Sequence, residues 1–317
     1  MDNNFVAGFD GGGTKTAVCI KSLNGKVLAR AGYGALNLNG GDEKRIRKTV
    51  EEMMEYCGSF AGGFLACRAL CIGTAGISNP DSAGLLVSQI RESGYMGTIL
   101  LTGDHETALY GALGSGVGIA LIAGTGSICL GRNGAGVKWR TGGWGYRIDD
   151  EGSGYAIGRD ILAAAVRCLD GRLTETCLKE SVMKTLHADT AADISAFAHR
   201  ADTGKKEVAA LARLLDPAVE AGDEAACRIA QRAAEALADL VIPVAEGTGQ
   251  TDARIALLGS ILQKCPSVRS RLEKRLHEIY PAMQTVMPKR DAAEGAADIA
   301  ADHAKGKRVA CDCEIYG

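Results

Sequence analysis

Short apolar runs separated by glycine-bearing turns dominate the first third of the chain. Residues 5–9 are typical of a buried strand, and a β-type run at 16–20 follows the segment DGGGTKT. Asn24-Gly25 is a strong hairpin signal that precedes a third predicted strand at 26–33. The pattern then predicts a helix at 42–60, a strand at 68–72, a helix at 80–92, a strand at 99–101 and a helix at 105–113. This β-β-β-α-β-α-β-α order indicates an α/β domain over residues 1–115.

The hairpin pattern returns in the second half of the chain. An apolar run at 118–123 meets Gly124-Thr125-Gly126-Ser127, and Asn133-Gly134 separates two further predicted strands. We therefore predict a second, related domain over residues 116–317 with a helical insertion. Residues 173–247 are predicted to be helical, and Pro243 is expected to kink or end a long helix there. Strands are predicted at 255–258 and 284–287. A final helix is predicted at 291–304, capped by Asp291. Whether this last helix packs back on the N-terminal domain stays open.

Composition narrows the class of protein. The chain has 317 residues, 46% of them apolar and 23% charged, with a net charge of −2, as expected for a globular protein of two domains. It contains no basic run, which argues against nucleic acid or an acidic membrane as a partner. We find no signal peptide and no apolar run of membrane-spanning length, and we expect a cytoplasmic protein.

The cysteines favour reduced thiols. There are 11, an odd number, and most lie in apolar segments, unlike a secreted disulfide framework. Cys311-Asp312-Cys313 has no partner at zinc-type spacing.

The two glycine-rich turns are candidate phosphate sites. Consecutive glycines allow backbone N–H groups to approach a ligand closely, Thr14 adds a hydroxyl group, and Lys15 adds a positive charge. A strand follows the first turn, whereas a P-loop or a dinucleotide fingerprint opens a helix. A glycine-rich hairpin without a ligand is the alternative, but two such hairpin tips facing each other could hold a polyphosphate.

Six motifs in a fixed order extend this interpretation. DGGGTKT, GTAG, GDHETAL, AGTGSIC, GGWGYRIDDEGSGY and LLGSIL together resemble the BadF/BadG/BcrA/BcrD ATPase family, and within it the N-acetylglucosamine kinase branch. The resemblance implies an actin-like ATPase (ribonuclease H-like) fold, with two related domains around an interdomain cleft. It also implies ATP and Mg²⁺ as cofactors and an amino sugar as substrate. We further expect a homodimer.

The resemblance assigns roles to individual residues. Asp10 corresponds to the acidic residue near Mg²⁺, and Asp104 to the catalytic base. The ATP-binding positions it implies are Gly11, Gly12, Gly13, Thr14, Lys15, Thr125, Gly126, Ser127, Gly259 and Ser260. The sugar-binding positions it implies are Asn37, Asp104, Gly143, Trp144, Gly145 and Asp150.

Each of these assignments has a structural alternative. Asp104 follows a predicted strand, where open sheets place ligands, but it could simply cap the next helix. Asp10 could serve a turn, although a carboxylate beside a triphosphate would imply Mg²⁺. Trp144 could be a core aromatic, and Asp150 could complement a helix N-terminus.

The leading functional hypothesis is phosphorylation of an amino sugar 6-hydroxyl by ATP. N-acetylglucosamine is the first choice of substrate, and glucosamine and N-acetylmuramic acid are alternatives. The second hypothesis is an ATPase activator of a 2-hydroxyacyl-CoA dehydratase that carries an iron–sulfur cluster. Against it, Cys129 follows the second glycine loop, whereas the activators resembled have a ligand cysteine before it. A sugar-sensing regulator is a third, weaker alternative, because no added DNA-binding helix pair is found.

Overall fold

The computed structural model describes residues 4–13, 15–36, 38, 42–77, 79–288 and 290–317. The strands are β1 Phe5–Gly11, β2 Thr16–Ser22, β3 Val27–Tyr33, β4 Cys67–Thr74, β5 Thr98–Thr102, β6 Gly118–Ala123, β7 Ser127–Arg132, β8 Lys138–Gly142, β9 Arg254–Leu258, β10 Gln284–Val286 and β11 Cys313–Tyr316.

Thirteen helices accompany these strands in the described residues, six of them, α5 to α10, in succession. They are α1 Glu43–Ser59, α2 Gly63–Ala66, α3 Pro80–Glu92, α4 Asp104–Leu113, α5 Gly154–Leu169, α6 Cys177–Leu186, α7 Ala191–His199, α8 Lys205–Ala209, α9 Leu215–Glu220, α10 Glu224–Thr248, α11 Ser260–Lys264, α12 Pro266–Ile279 and α13 Ala292–Ala304, with a 3₁₀ turn at Ala210–Leu214. No helix within the described ranges combines the length and the apolar character needed to cross a bilayer.

The chain forms two compact units. The first contains Met1–Val117 together with Pro288–Gly317, and the second contains Gly118–Met287. The chain therefore returns to the first unit after β10, and the final helix α13 lies there instead of extending the second unit. The sequence-based division assigned 116–317 to the second domain and left open whether the final helix packs on the first, where the structure places it.

A six-stranded sheet organises the first unit. Its strand order is β11-β5-β4-β1-β2-β3, with β1 antiparallel to β2 and parallel to β4. Helices α1 and α3 cover one face through residues such as Met53 and Leu86, while α4 and α13 cover the other through Tyr110 and Ile299. Because helices cover both faces, β1 is buried along nearly its whole length and consists largely of apolar residues.

Glycines allow α13 to lie against the sheet and α4. A Cβ added at Gly8 would come within 2.1 Å of the Ala297 backbone nitrogen, and one at Gly295 within 2.1 Å of the Thr107 carbonyl oxygen. The buried Lys21 ammonium also pairs with Glu294 and Asp298 on the same helix. The helix is therefore an integral layer of the first unit. Asp291 caps it as predicted, accepting a hydrogen bond from the Glu294 N–H at 2.8 Å.

The second unit repeats the sheet of the first. Its order is β10-β9-β6-β7-β8, so each element of the first five-strand pattern has a counterpart at the same position. Helix α10 packs its stripe, which includes Ile229 and Leu237, into the core of this unit. Pro243 lies inside α10, which runs on to Thr248, so the proline does not end the helix.

Both predicted hairpins are present, and several elements were missed. β1 pairs with β2 up to Gly11 opposite Thr16, and β6 pairs with β7 up to Ala123 opposite Ser127. Helices α2, α11 and α12 and the edge strand β11 are not predicted by the sequence patterns. The expectation of reduced thiols is wrong at one place, because Cys311 and Cys313 form a disulfide.

Candidate functional site

The first glycine loop is the tip of the β1–β2 hairpin. The Gly12 N–H donates to the Lys15 carbonyl oxygen at 3.0 Å, and the Gly12 carbonyl oxygen accepts from the Leu36 N–H at 3.1 Å. A Cβ at Gly11 would lie 2.8 Å from the Leu36 carbonyl oxygen, so the loop is packed against the segment after β3. Thr14, predicted to contact ATP, lies outside the described residues.

Three parallel strands bring the two predicted acidic groups to one edge of the sheet. In the register of β1, β4 and β5, Asp10 lies opposite Gly73, and Gly73 lies opposite Thr102. Asp104 follows two residues later, as the first residue of α4. Adjacent strands are about 4.8 Å apart, so Asp10 and the end of β5 are separated by roughly 10 Å across the glycine of the middle strand.

The environments of these two carboxyl groups move their pKa values in opposite directions. The pKa of Asp10 is raised from 3.8 to about 6, first by burial and then by the nearby negative charges of Asp104 and Asp291, while Lys15 opposes the rise. The pKa of Asp104 is lowered, first by its hydrogen bonding with His105, against the effect of burial. At neutral pH, Asp104 is therefore an ionised carboxylate.

Asp104 is both oriented and accessible. Its Oδ1 accepts a hydrogen bond from the His105 N–H at 2.9 Å and lies 3.6 Å from the ring Nδ1 of His105. Its side chain is 54% exposed. Gly103, not Asp104, is the N-cap of α4, so the simple capping interpretation does not account for this carboxylate.

The second glycine loop is the tip of the β6–β7 hairpin. The Gly124 N–H donates to the Gly126 carbonyl oxygen at 2.9 Å, and two N–H groups at the start of α5 donate to the loop. These are Gly154 to the Gly124 carbonyl oxygen at 2.7 Å and Tyr155 to the Thr125 carbonyl oxygen at 3.2 Å. The loop is thus attached directly to the N-terminus of α5, where positive dipole character favours an anion.

Asp150 lies against this loop. It is buried, with a φ of 65° that non-glycine residues rarely adopt, and a Cβ at Gly126 would come within 2.8 Å of its Oδ2. Ser127 donates its hydroxyl hydrogen to the Glu151 carbonyl oxygen at 2.8 Å. Ser153 is the N-cap of α5, and its side chain accepts a hydrogen bond from the Ala156 N–H.

The adenosine-side motif lies at the end of the neighbouring strand. Gly259 follows β9 with a φ of +87°, and its Cα packs so closely on Ala123 that a Cβ would lie 2.3 Å from the Ala123 carbonyl oxygen. Ser260 then begins α11. Thr125, Gly126, Ser127, Gly259 and Ser260 are therefore all placed at the ends of adjacent strands of the second unit.

The segment around Trp144 is an exposed glycine-rich loop. Gly143 and Gly145 have φ values of 73° and 100°, and the Trp144 side chain between them is 66% exposed. The guanidinium group of Arg140 stacks on the indole ring, 4.6 Å from its centroid. The alternative of a core aromatic is wrong for Trp144. Arg140 was not predicted as a site residue, because it belongs to none of the six motifs.

Asn37 and Cys129 are the remaining residues that were considered from the sequence. Asn37, predicted to bind the sugar, lies outside the described residues. Cys129 is fully buried in β7, and burial raises the pKa of its thiol. Among the described residues, no group of three or more His, Cys, Asp or Glu side chains is arranged to hold a metal ion. Asp291, whose charge acts on Asp10, was predicted only as a helix cap.

Two units with the same strand order, each carrying a glycine loop at a hairpin tip, define the actin-like ATPase fold, as predicted. The model of the BadF/BadG/BcrA/BcrD ATPase family matches residues 7–300, and the chain belongs to that family. The predicted family is therefore confirmed, and ATP use follows from it.

Individual relatives agree with this assignment. The chain is 36% identical to an N-acetylmuramic acid/N-acetylglucosamine kinase of Clostridium acetobutylicum, over 93% of this chain and 98% of the relative. It is 28% identical to an N-acetyl-D-glucosamine kinase of Dictyostelium discoideum, over 96% and 100%. A solved structure of a candidate N-acetylglucosamine kinase from Chromobacterium violaceum matches with a TM-score of 0.74 and 30% identity, over 93% and 98%.

Proposed function

We propose that this protein is an ATP-dependent amino sugar kinase that phosphorylates the 6-hydroxyl of N-acetylglucosamine. The observation that carries the proposal is the accessible, ionised carboxylate of Asp104 at the carboxyl edge of the first sheet. The names of the relatives support an amino sugar as the substrate.

Asp104 is the proposed catalytic base. Phosphoryl transfer depends mainly on positioning and on stabilising charge, and the attacking hydroxyl must lose a proton to a nearby group. The hydrogen bond from the His105 N–H holds the Asp104 carboxylate in one orientation, and the lowered pKa keeps it free to accept that proton.

The acidic groups of the first unit fit a divalent cation. Burial is the main cause of the raised pKa of Asp10, and the like charges of Asp104 and Asp291 add to it, so a bound cation would relieve their repulsion. We propose Asp10 as the protein group nearest to Mg²⁺, which when bound would neutralise charge on the phosphates of ATP. The phosphate oxygens and water would complete its coordination.

Each unit contributes proposed contacts to ATP. In the first unit these are Gly11, Gly12, Gly13, Thr14 and Lys15. In the second unit Thr125, Gly126 and Ser127 form the second phosphate loop, supported by the N-terminus of α5. Gly259 and Ser260 are proposed for the adenosine side, where the close packing of Gly259 on Ala123 leaves no space for a side chain.

The sugar contacts are proposed at Asn37, Asp104, Gly143, Trp144, Gly145 and Asp150. The exposed indole ring of Trp144 offers a flat apolar surface, and its glycine neighbours leave the backbone accessible. Asp150 supplies a buried carboxylate that can accept hydrogen bonds from sugar hydroxyls. Glucosamine and N-acetylmuramic acid stay as alternative substrates. A homodimer and a cytoplasmic location stay predictions.

A coupled ADP-release screen over amino sugars tests the proposal. We expect N-acetylglucosamine to stimulate ADP release. Asp104→Asn should lower kcat by about 10²- to 10⁴-fold, because it removes the base yet keeps an oxygen to accept the His105 N–H. Asp81→Asn, at the start of the exposed first turn of α3, is the matched control and should keep activity. The proposal fails if no amino sugar stimulates ADP release or if Asp104→Asn is fully active.

A further inference from the structure

An arginine-rich groove lies between α5 and α10 in the second unit. Its volume is about 350 Å³. Small apolar side chains, including Ala156, Ala163 and Ala233, line its interior. Four arginines also line it, namely Arg159, Arg167, Arg228 and Arg232, against two acidic residues, Glu151 and Asp160.

The internal ion pairs leave part of this positive charge uncompensated. Arg159 binds Glu151 through two hydrogen bonds of 2.9 and 3.0 Å. Asp160 is shared between Arg159, at 3.3 Å, and Arg232, at 3.0 Å. Arg228 pairs with Glu224, a residue of its own helix that does not line the groove, at 3.2 Å.

Arg167 differs from the other three arginines of the groove. It is exposed, and within the described ranges its side chain makes no ion pair or hydrogen bond, although its charge acts on Asp170. Exposed ion pairs contribute little to stability. Ion pairing between α5 and α10 is therefore not a sufficient reason for four arginines in this groove. The planar fork of arginine matches phosphate oxygens in pairs.

We propose that the α5–α10 groove binds a phosphate group, either free or carried by a small organic monoester. The lining has four arginines against two acidic residues, and because Glu224 compensates Arg228, the charge of Arg167 is left to attract a phosphomonoester, which carries about −1.5 to −2 at neutral pH. The small side chains of the interior leave room for an attached organic part. This site is separate from the glycine loops, and the proposal does not depend on the sugar kinase activity.

The groove is connected to the second glycine loop through Glu151. The Glu151 carboxylate binds the guanidinium group of Arg159, while the Glu151 carbonyl oxygen accepts the hydroxyl hydrogen of Ser127, the last residue of that loop. A phosphate that binds Arg159 competes with the Glu151 carboxylate. The site can therefore influence the position of Ser127.

Isothermal titration calorimetry of the full chain without nucleotide tests the proposal, with inorganic phosphate and glucose 6-phosphate as probes. Tighter binding of glucose 6-phosphate would identify an organic monoester as the ligand, and equal affinity would identify free phosphate. Arg167→Gln should weaken binding about tenfold, the loss expected for one charge-assisted hydrogen bond. Glu151→Gln should strengthen binding several-fold, because it removes the competing carboxylate from Arg159.

Arg275→Gln is the matched control, since it removes one exposed arginine from α12 of the same unit. It should leave the dissociation constant unchanged. Thermal unfolding should show that all three variants fold. The proposal is overturned if neither probe binds at millimolar concentration, or if Arg167→Gln and Arg275→Gln bind the probes equally.

Discussion

The carboxylate of Asp150 lies directly against the Cα of Gly126, so that a side chain at Gly126 would come within 2.8 Å of Asp150 Oδ2. This contact joins a proposed phosphate loop to a proposed sugar-binding carboxylate inside one unit. Asp150 is also held in an unusual backbone conformation, with a φ of 65°. Its position therefore depends on the absence of a side chain at Gly126.

Gly126→Ala is expected to displace Asp150 and lower kcat/KM for the sugar by about 100-fold, the loss typical of a misplacement of about 1 Å. Steady-state kinetics with varied sugar and ATP measure this. Gly134→Ala, where an added Cβ meets nothing within 4 Å, is the control in the β7–β8 turn. Equal kinetics for the two variants would contradict the structural role of the Gly126 contact.

Asp10→Asn is expected to abolish activity and yet stabilise the protein at neutral pH. The pKa of Asp10 is raised in the folded state, so its ionisation costs nothing below about pH 4, and the cost grows up to about pH 6 and is complete above that value. Removing the charge should raise the free energy of unfolding at pH 7.5 by on the order of 1 to 2 kcal/mol, after allowance for solvent screening.

Urea unfolding of Asp10→Asn and wild type at pH 7.5 and pH 4.5 measures this difference. The gain should shrink at the lower pH, and the exposed Asp81→Asn should show no comparable pH dependence. If Asp10→Asn is less stable than wild type at pH 7.5, the charge of Asp10 does not destabilise the folded state.

Substitution of the two tryptophans is expected to affect different properties, namely the KM for the sugar at Trp144 and the free energy of unfolding at Trp139. Trp144 is largely exposed, so Trp144→Ala should raise the KM for the sugar and change the free energy of unfolding by less than about 0.5 kcal/mol. Trp139 packs against Gly247, where an added Cβ would lie 2.4 Å from its ring, so Trp139→Ala should mainly destabilise the fold.

Fluorescence provides a direct check, because the chain has 2 tryptophans. In Trp139→Phe the remaining indole is Trp144, and its emission should change when the sugar is added. An unchanged spectrum at saturating sugar would remove Trp144 from the proposed sugar site.

Two glycine-to-alanine variants test the packing of α13. Gly84→Ala in α3, where an added Cβ meets nothing within 4 Å, should stabilise the protein by about 0.5 to 1 kcal/mol. Gly295→Ala in α13 places a Cβ 2.1 Å from the Thr107 carbonyl oxygen and should destabilise it by about 3 kcal/mol or more. Urea unfolding measures both, and similar values would mean that α13 does not pack closely on α4.

Local patterns in the sequence determined the two hairpins, the glycine loops and the strands, except the edge strand β11. Turn chemistry at Asn24-Gly25 and Asn133-Gly134 acts over a few residues, and buried strands need apolar side chains, so both can be read along the chain. The same reasoning located Asp291 as a helix cap. The ordered motifs then identified the family.

Only the tertiary structure decided which distant groups meet. The return of α13 to the first sheet, the effect of Asp104 and Asp291 on the pKa of Asp10, and the exposure of Trp144 depend on contacts between elements far apart in sequence. The groove of four arginines arises because α5 and α10 pack side by side, although about 60 residues separate their arginines along the chain. Such contacts depend on burial and electrostatics across the fold, which no short segment encodes.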